Sequence, residues 1–298
     1  MSKDYFKEFN PSDREIDDLI KYAIAPRPIA LVSSMNADGE VNLSPFSYFN
    51  IFSHNPPVCV FSTVRRMRDG STKHTFENIQ EVDEVVINIV NYDMLHQQSL
   101  SSTEYPKGVD EFIKAGFTPL KSLLVKPPRV NESPVQLECK VIQQVDLGNG
   151  PGHGTLIVCE VLKMHFKASL LNEENKVLQK DLDLVARLGA DWYCRVQEEN
   201  LFLVPKPLRN LGIGIDLLPD FIKKSTILSG NDLAQLANVE KIPDFRELET
   251  VIIEQDTLNQ LLNLQSKEPE RMRFKHEIAK DYLSKNKLNE AWKILLMK

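Results

Sequence analysis

The sequence predicts a mainly β protein with added helices: an antiparallel barrel or sandwich over residues 1–200, followed by an α-helical C-terminal extension. Three observations carry this. Short runs rich in Val and Ile, at Ile29–Met35, Val58–Thr63 and Val85–Val90, have no regular βαβ alternation between them, which points to strands joined by hairpins. Val135, Leu137, Cys139 and Val141 alternate with Gln136, Glu138 and Lys140, giving a strand with one buried face and one wet face. Beyond Pro243 the chain is charged, Leu-rich and free of strand signals.

Taken in order, Ser12-Asp13-Arg14-Glu15 reads as a capping box ahead of Ile16, Leu19 and Ile20 at helical spacing, so a short helix is expected first. Ala37-Asp38-Gly39 then turns the chain from Ile29–Met35 back into Val41, forming a hairpin. Val58–Thr63 reads as a buried strand, and Thr75–Glu81 is a polar amphipathic stretch before Val85–Val90. Between 91 and 130 the pattern turns helical and loop-like, with Asp110–Ala115 closed by Gly116. The Gly148–Gly154 turn leads into a strand from Thr155 to Phe166. Pro205 and Pro207 mark a boundary, so 201–243 is expected to be a linker and 244–298 the helical extension. There Ile278, Tyr282, Leu288, Ala291, Trp292 and Leu295 fit two short helices packed as a hairpin. Such a pair caps a fold, contacts a second copy or engages a protein partner.

The charge balance narrows the function. A net charge of -6 and a pI near 5.6 argue against a general polyanion binder, so no nucleic acid is expected as partner. Met1–Pro11 lacks the order of a signal peptide, and no apolar stretch approaches a membrane span, so a cytoplasmic protein without a membrane partner is expected. Cys59, Cys139, Cys159 and Cys194 show no CxxC pairing, and the six histidines have neither HxH nor HxxxH spacing, so no metal is expected. GxSxG is absent, and neither Gly148–Gly154 nor Gly212-Ile213-Gly214 has the spacing of a dinucleotide loop.

What remains is a set of short hydroxyl and basic side chains at strand ends: Arg27, Asn42 to Asn50, Phe61-Ser62-Thr63, and Lys73-His74-Thr75 after the basic stretch Arg65–Arg68. Pro45 breaks a strand ladder and frees neighbouring backbone groups to face a ligand. Charge-assisted hydrogen bonds contribute roughly 1.5–3 kcal/mol each, so three approach the roughly 8 kcal/mol of micromolar binding to a phosphomonoester. Ordinary turn hydroxyls and a solvated basic loop have the same composition.

The joint order of several segments is more specific. Ala25-Pro26-Arg27-Pro28-Ile29-Ala30-Leu31-Val32-Ser33-Ser34, Asp38-Gly39, Asn42-Leu43-Ser44-Pro45-Phe46-Ser47, Asn55-Pro56-Pro57 and Lys73-His74-Thr75 with Asn78-Ile79 follow one another. Gly108-Val109-Asp110-Glu111-Phe112, Ala115-Gly116-Phe117, Pro127-Pro128-Arg129 and Arg187-Leu188-Gly189 with Tyr193 complete the series. This order resembles the flavin reductase-like, FMN-binding split-barrel family over roughly residues 20–196.

The resemblance implies an antiparallel split β-barrel holding flavin mononucleotide (FMN), with NADH or NADPH as transient reductant, working as a homodimer. Ser44, Pro45, Phe46 and Ser47 would border the isoalloxazine, Ser62 and Thr63 the ribityl-phosphate end, and Lys73 with Thr75 the phosphate. Arg27, Asn50, His74 and Arg187 complete the expected cofactor-binding set. His74 departs from the Asp that relatives commonly carry, and Arg187 either holds the fold's end or touches flavin from a neighbouring subunit. His153 is a candidate nicotinamide contact, or else a solvent-exposed loop histidine. The implied activity is an NAD(P)H-dependent flavin reductase passing electrons to free flavin, an iron complex, oxygen or a partner. The alternatives are an FMN carrier or sensor with little turnover and a flavin oxidase or oxygenase acting on a small organic substrate.

Overall fold

The computed structural model describes residues 6–12, 15–207 and 211–297. Two compact units divide the chain, Met1–Phe202 and Leu203–Lys298. Among the described residues no helix is long and apolar enough to cross a membrane.

The first unit carries strands β1 (Arg27–Pro28), β2 (Ala30–Met35), β3 (Val41–Phe46), β4 (Phe49–His54), β5 (Pro57–Val64) and β6 (Glu84–Ile89). They are followed by β7 (Pro119–Leu120), β8 (Arg129–Val130), β9 (Val135–Asp146), β10 (Gly154–Phe166), β11 (Val185–Arg187) and β12 (Tyr193–Arg195). Seven strands form one antiparallel sheet in the order β3-β2-β6-β9-β10-β5-β4.

That order forces the sheet to curl. β3 and β4 stand at opposite ends of it, yet only Ser47 and Tyr48 separate them in the chain. Each extended residue spans at most roughly 3.6 Å, far too little to cross a flat seven-stranded sheet with strands about 4.8 Å apart. The two ends therefore meet: Ser62 N–H of β5 donates to the Tyr48 carbonyl at 2.8 Å, and the Phe46 and Phe61 rings lie 5.0 Å apart. The result is an antiparallel barrel with a seam at residues 46–49.

Strand alternation supplies two cores. Ala30 and Val32 of β2 join Phe61, Ile87, Leu137 and Ile157 in one cluster, while Ile29 and Leu31 face Leu43, Met94, Phe112 and Val130 in the other. β2 is thus buried on both faces, as its continuous apolar run requires. Cys59, Cys139 and Cys159 are free and buried among these strands, and burial pushes their thiols up and away from the reactive thiolate form.

Helices α1 (Ile16–Ala23), α2 (His74–Glu81), α3 (Leu95–Leu100) and α4 (Glu111–Ala115) lie outside the strands. Glu15 is the N-cap of α1 without a side-chain bond; the expected capping box from Ser12 falls partly on Asp13 and Arg14, outside the described residues. At α4 the Asp110 carboxylate accepts from Phe112 N–H at 2.8 Å, and Gly116 ends the helix at φ 69°, a left-handed conformation suited to glycine. Glu111 accepts from Leu43 N–H at 2.9 Å, fixing this helix to β3, and burial pushes its carboxyl up.

The second unit is helical: α5 (Asp220–Lys223), α6 (Gly230–Ala237), α7 (Gln255–Asn263), α8 (Glu268–Ser284) and α9 (Leu288–Leu296). α8 and α9 form the expected hairpin, turning at Asn286. Residues 201–243, expected to be a linker, instead supply Leu218, Ile222, Leu233 and Leu236 to the core that holds Leu283 and Trp292. The segment reads as a linker because α5 and α6 are too short to display a period. A capping box between Ser229 and Asp232 starts α6 and was the available signal.

Candidate functional site

The seam opens into a cavity of about 450 Å³. Its wall is built from Pro45 to Tyr48 at the seam, Ser62 and Val64 of β5, Lys73 ahead of α2, Asp18 and Lys21 of α1, and the turn from Arg187 to Asp191. Pro45 is tolerated because β3 is the terminal strand of the sheet order, where a missing N–H leaves no ladder partner wanting.

Arg27 fixes the α1 end. It is buried, and its Nη1 donates to the carbonyls of Lys21 at 2.6 Å and Ile24 at 2.9 Å, while Nη2 donates to the Leu188 carbonyl at 2.9 Å. Nε reaches Ser47 Oγ at 3.5 Å. One guanidinium thereby ties the end of α1, the seam and the 187–191 turn together. Arg187 lies 4.6 Å over the Tyr193 ring and donates to the Ala190 carbonyl, with Asp191 Oδ1 at 3.5 Å.

Lys73 is held differently. Among the described residues no carboxylate pairs with it, and its ammonium lies 5.8 Å over the Phe46 ring. Burial, and next the charge of Arg66, pull its pKa below the ordinary lysine range against the opposing pull of Glu104. The arginines before it are internally satisfied: Arg66 bonds Glu104 at 2.9 Å and the Thr72 carbonyl at 2.5 Å, and Arg68 meets Glu104 at 2.7 Å. Asp69 stays ionised at a pKa of about 2 because the Ser71 hydroxyl and N–H both donate to it. Ser62 Oγ, at the wall, makes no hydrogen bond among the described residues, and a Cβ at Gly154 would come within 2.8 Å of it. A half-buried, unneutralised cation and an unpartnered hydroxyl on one cavity wall suit an anionic phosphate, and the apolar faces of Pro45 and Phe46 suit a flat ring.

The structure brings together Arg27, Pro45, Phe46, Ser47, Ser62, Lys73 and Arg187 from the expected set. Asn50 lines an adjoining, more apolar cavity of about 330 Å³ that shares Arg27, Ser47, Tyr48 and Ser62. Thr63 sits behind Lys73 against Phe76. Ser44, His74 and Thr75 do not line the cavity. Thr75 is fully buried and accepts from Asn42 Nδ2 at 2.8 Å. His74 shares a helix face with Asn78, four residues on, and both border a separate hollow beside Glu40 and Lys107. His153 folds back into its own hairpin, accepting from Arg65 Nε at 3.1 Å while Nδ1 meets the Gly150 carbonyl at 2.5 Å. Sequence reasoning passed over Asp18, Lys21 and Asp191, whose residue types carry no signal until the seam and the turn converge, and gave Tyr48 only as part of the segment from Asn42 to Asn50.

A family model described as the flavin reductase like domain matches residues 22–180. An uncharacterized protein of Aquifex aeolicus is 33% identical over 191 residues, covering 63% of this chain and 95% of that one. Nitrilotriacetate monooxygenase component B from Bacillus cereus is similar at 27% identity and a TM-score of 0.62, covering 67% of this chain and 99% of its own. 2-Nitrobenzoate 2-nitroreductase of Pseudomonas fluorescens is similar at 28% identity and a TM-score of 0.60, covering 69% of this chain and 100% of its own.

Proposed function

The chain belongs to the flavin reductase like family, and from that premise we propose that it holds FMN at the barrel seam and oxidises NADH or NADPH. The observation that carries this reading is Lys73, a half-buried cation without a carboxylate partner among the described residues, on the wall of a 450 Å³ cavity. Such a group favours a terminal phosphomonoester, which FMN carries and FAD lacks.

A bound flavin would supply the redox chemistry as the acceptor of hydride from a reduced nicotinamide. The chain's own residues bind and orient: Lys73 holds the phosphate, Ser62 and Ser47 offer hydroxyls to the polar chain, and Pro45 with Phe46 border the ring. Hydride transfer itself requires no side chain as acid or base. The similar structures are named as a monooxygenase component and a nitroreductase, and this supports redox chemistry over a purely structural role. The exposed Ile51 and Phe52 on β4, beside the adjoining apolar cavity, support a homodimer that covers them.

The test is a visible spectrum of purified protein, reconstituted with FMN, followed by anaerobic addition of NADH and of NADPH. Rapid bleaching by either is the expected outcome. Bound flavin that stays oxidised favours the carrier or an oxidase reduced by its own substrate, and failure to bind FMN removes the reading.

A further inference from the structure

A second cavity, of about 290 Å³, adjoins the first and shares Pro45, Ser47, Arg187 and Asp191 with it. Resting on the function proposed above, we propose that this cavity seats the nicotinamide of the reductant and that Gln98 binds its carboxamide.

Gln98 of α3 is 3% exposed, lines this cavity, and its Oε1 is buried without a hydrogen-bond partner. Its neighbour shows what a structural glutamine does here: Gln97 Nε2 donates to the carbonyls of Ala115 at 3.1 Å and Gly116 at 2.9 Å, closing α4. Nearby hydroxyls are also engaged, Ser101 with the Gln98 carbonyl at 2.8 Å and Ser102 with the Ser99 carbonyl at 2.6 Å. Among the described residues the Gln98 Oε1 is left over. Buried polar groups are nearly always satisfied, so an unpartnered one at a cavity wall marks a place for a ligand.

The chemistry of that ligand follows from the amide and the size of the space. A primary amide presents an acceptor on one atom and donors on the other, and a second primary amide answers both in one plane. The cavity lies at the small end of the roughly 300–1,000 Å³ range of ligand sites, enough for one substituted ring and not a dinucleotide. Its shared wall places that ring against the occupant of the larger cavity, where a hydride donor has to lie. Arg187 stands at the same wall, available to a phosphate of the same molecule.

The experiment compares FMN-loaded full-length wild type, Gln98→Met and Gln98→Glu in anaerobic flavin reduction. The donors are the preferred reduced nicotinamide dinucleotide, its 3-acetylpyridine analogue, in which a methyl ketone replaces the amide, and its hypoxanthine analogue. Gln98→Met is expected to raise KM about five- to tenfold for the natural donor while leaving FMN affinity unchanged. The limiting rate should change by less than about twofold. Wild type should discriminate against the acetyl analogue, and Gln98→Met should not; Gln98→Glu, which keeps shape and acceptor but loses the donor, should fall between and serves if the Met variant does not fold. An unchanged KM with wild-type reduction intact overturns the assignment alone, as does loss of discrimination at the hypoxanthine in place of the acetyl analogue. Wild-type flavin that neither nucleotide reduces overturns the functional reading, and this assignment with it.

Discussion

On the wall of one cavity Arg27 commits its guanidinium to the carbonyls of Lys21, Ile24 and Leu188, whereas Lys73 keeps an ammonium that no carboxylate among the described residues neutralises. Both residues line the same space, and both read in the sequence as basic members of the cofactor-binding set. The difference separates a residue that shapes the cavity from one that fills it with charge. A guanidinium with fixed, divergent donors suits the first task, and a compact ammonium on a flexible stem suits the second.

The largest effect that sharpens this contrast is on affinity at Lys73. Lys73→Ala should weaken FMN binding about 10- to 100-fold in equilibrium dialysis, while thermal stability of the apoprotein holds or rises because a partly desolvated charge has been removed. Arg27→Met should do the reverse in kind, costing about 3 kcal/mol in a denaturant titration by leaving three carbonyls without their donor. Loss of affinity without loss of stability in Arg27→Met would erase the distinction.

pH offers a further check on the lysine. Burial lowers its pKa, so in the apoprotein the cost of the charge is fully present below the folded pKa and fades as pH rises towards the ordinary lysine value. A phosphate requires the charged form, so FMN affinity should begin to fall at a pH below the range of an exposed lysine, as measured by flavin fluorescence. That alkaline limb should vanish in Lys73→Met. The smallest effect is expected from removing the helical unit: a fragment ending at Phe202 contains every residue lining the cavity and should bind FMN within about threefold of the full chain.

Much of this architecture was legible because its signals are local. The alternation at 135–141 and the apolar runs at 29–35, 58–63 and 85–90 became β9, β2, β5 and β6 with small changes at their ends. Gly116 and the 285–287 turn announced helix ends through backbone conformations that few residues adopt. The seam was not legible, since it depends on β3 and β4 occupying opposite ends of the sheet, a fact of strand order that no window of sequence contains. For the same reason residue types marked out the segments that hold Ser47, Tyr48, Ser62 and Lys73, the roles of Ser47, Ser62 and Lys73 came from the resemblance, and Gln98 was not found at all. Thr75 looked like a phosphate ligand from its neighbours in sequence, but Asn42, thirty-three residues away, claims its hydroxyl.

The bond from Arg27 to the Leu188 carbonyl joins residues 161 positions apart, and β1 pairs with β11 beside it. Contacts of such sequence separation form late, because the intervening chain must first be organised. During synthesis the barrel strands through β10 can pair while the wall from Arg187 to Asp191 has yet to emerge, so the cavity closes only when nearly the whole first unit has been made. On the proposed function, flavin occupancy would then record the completion of the fold as well as the presence of the ligand.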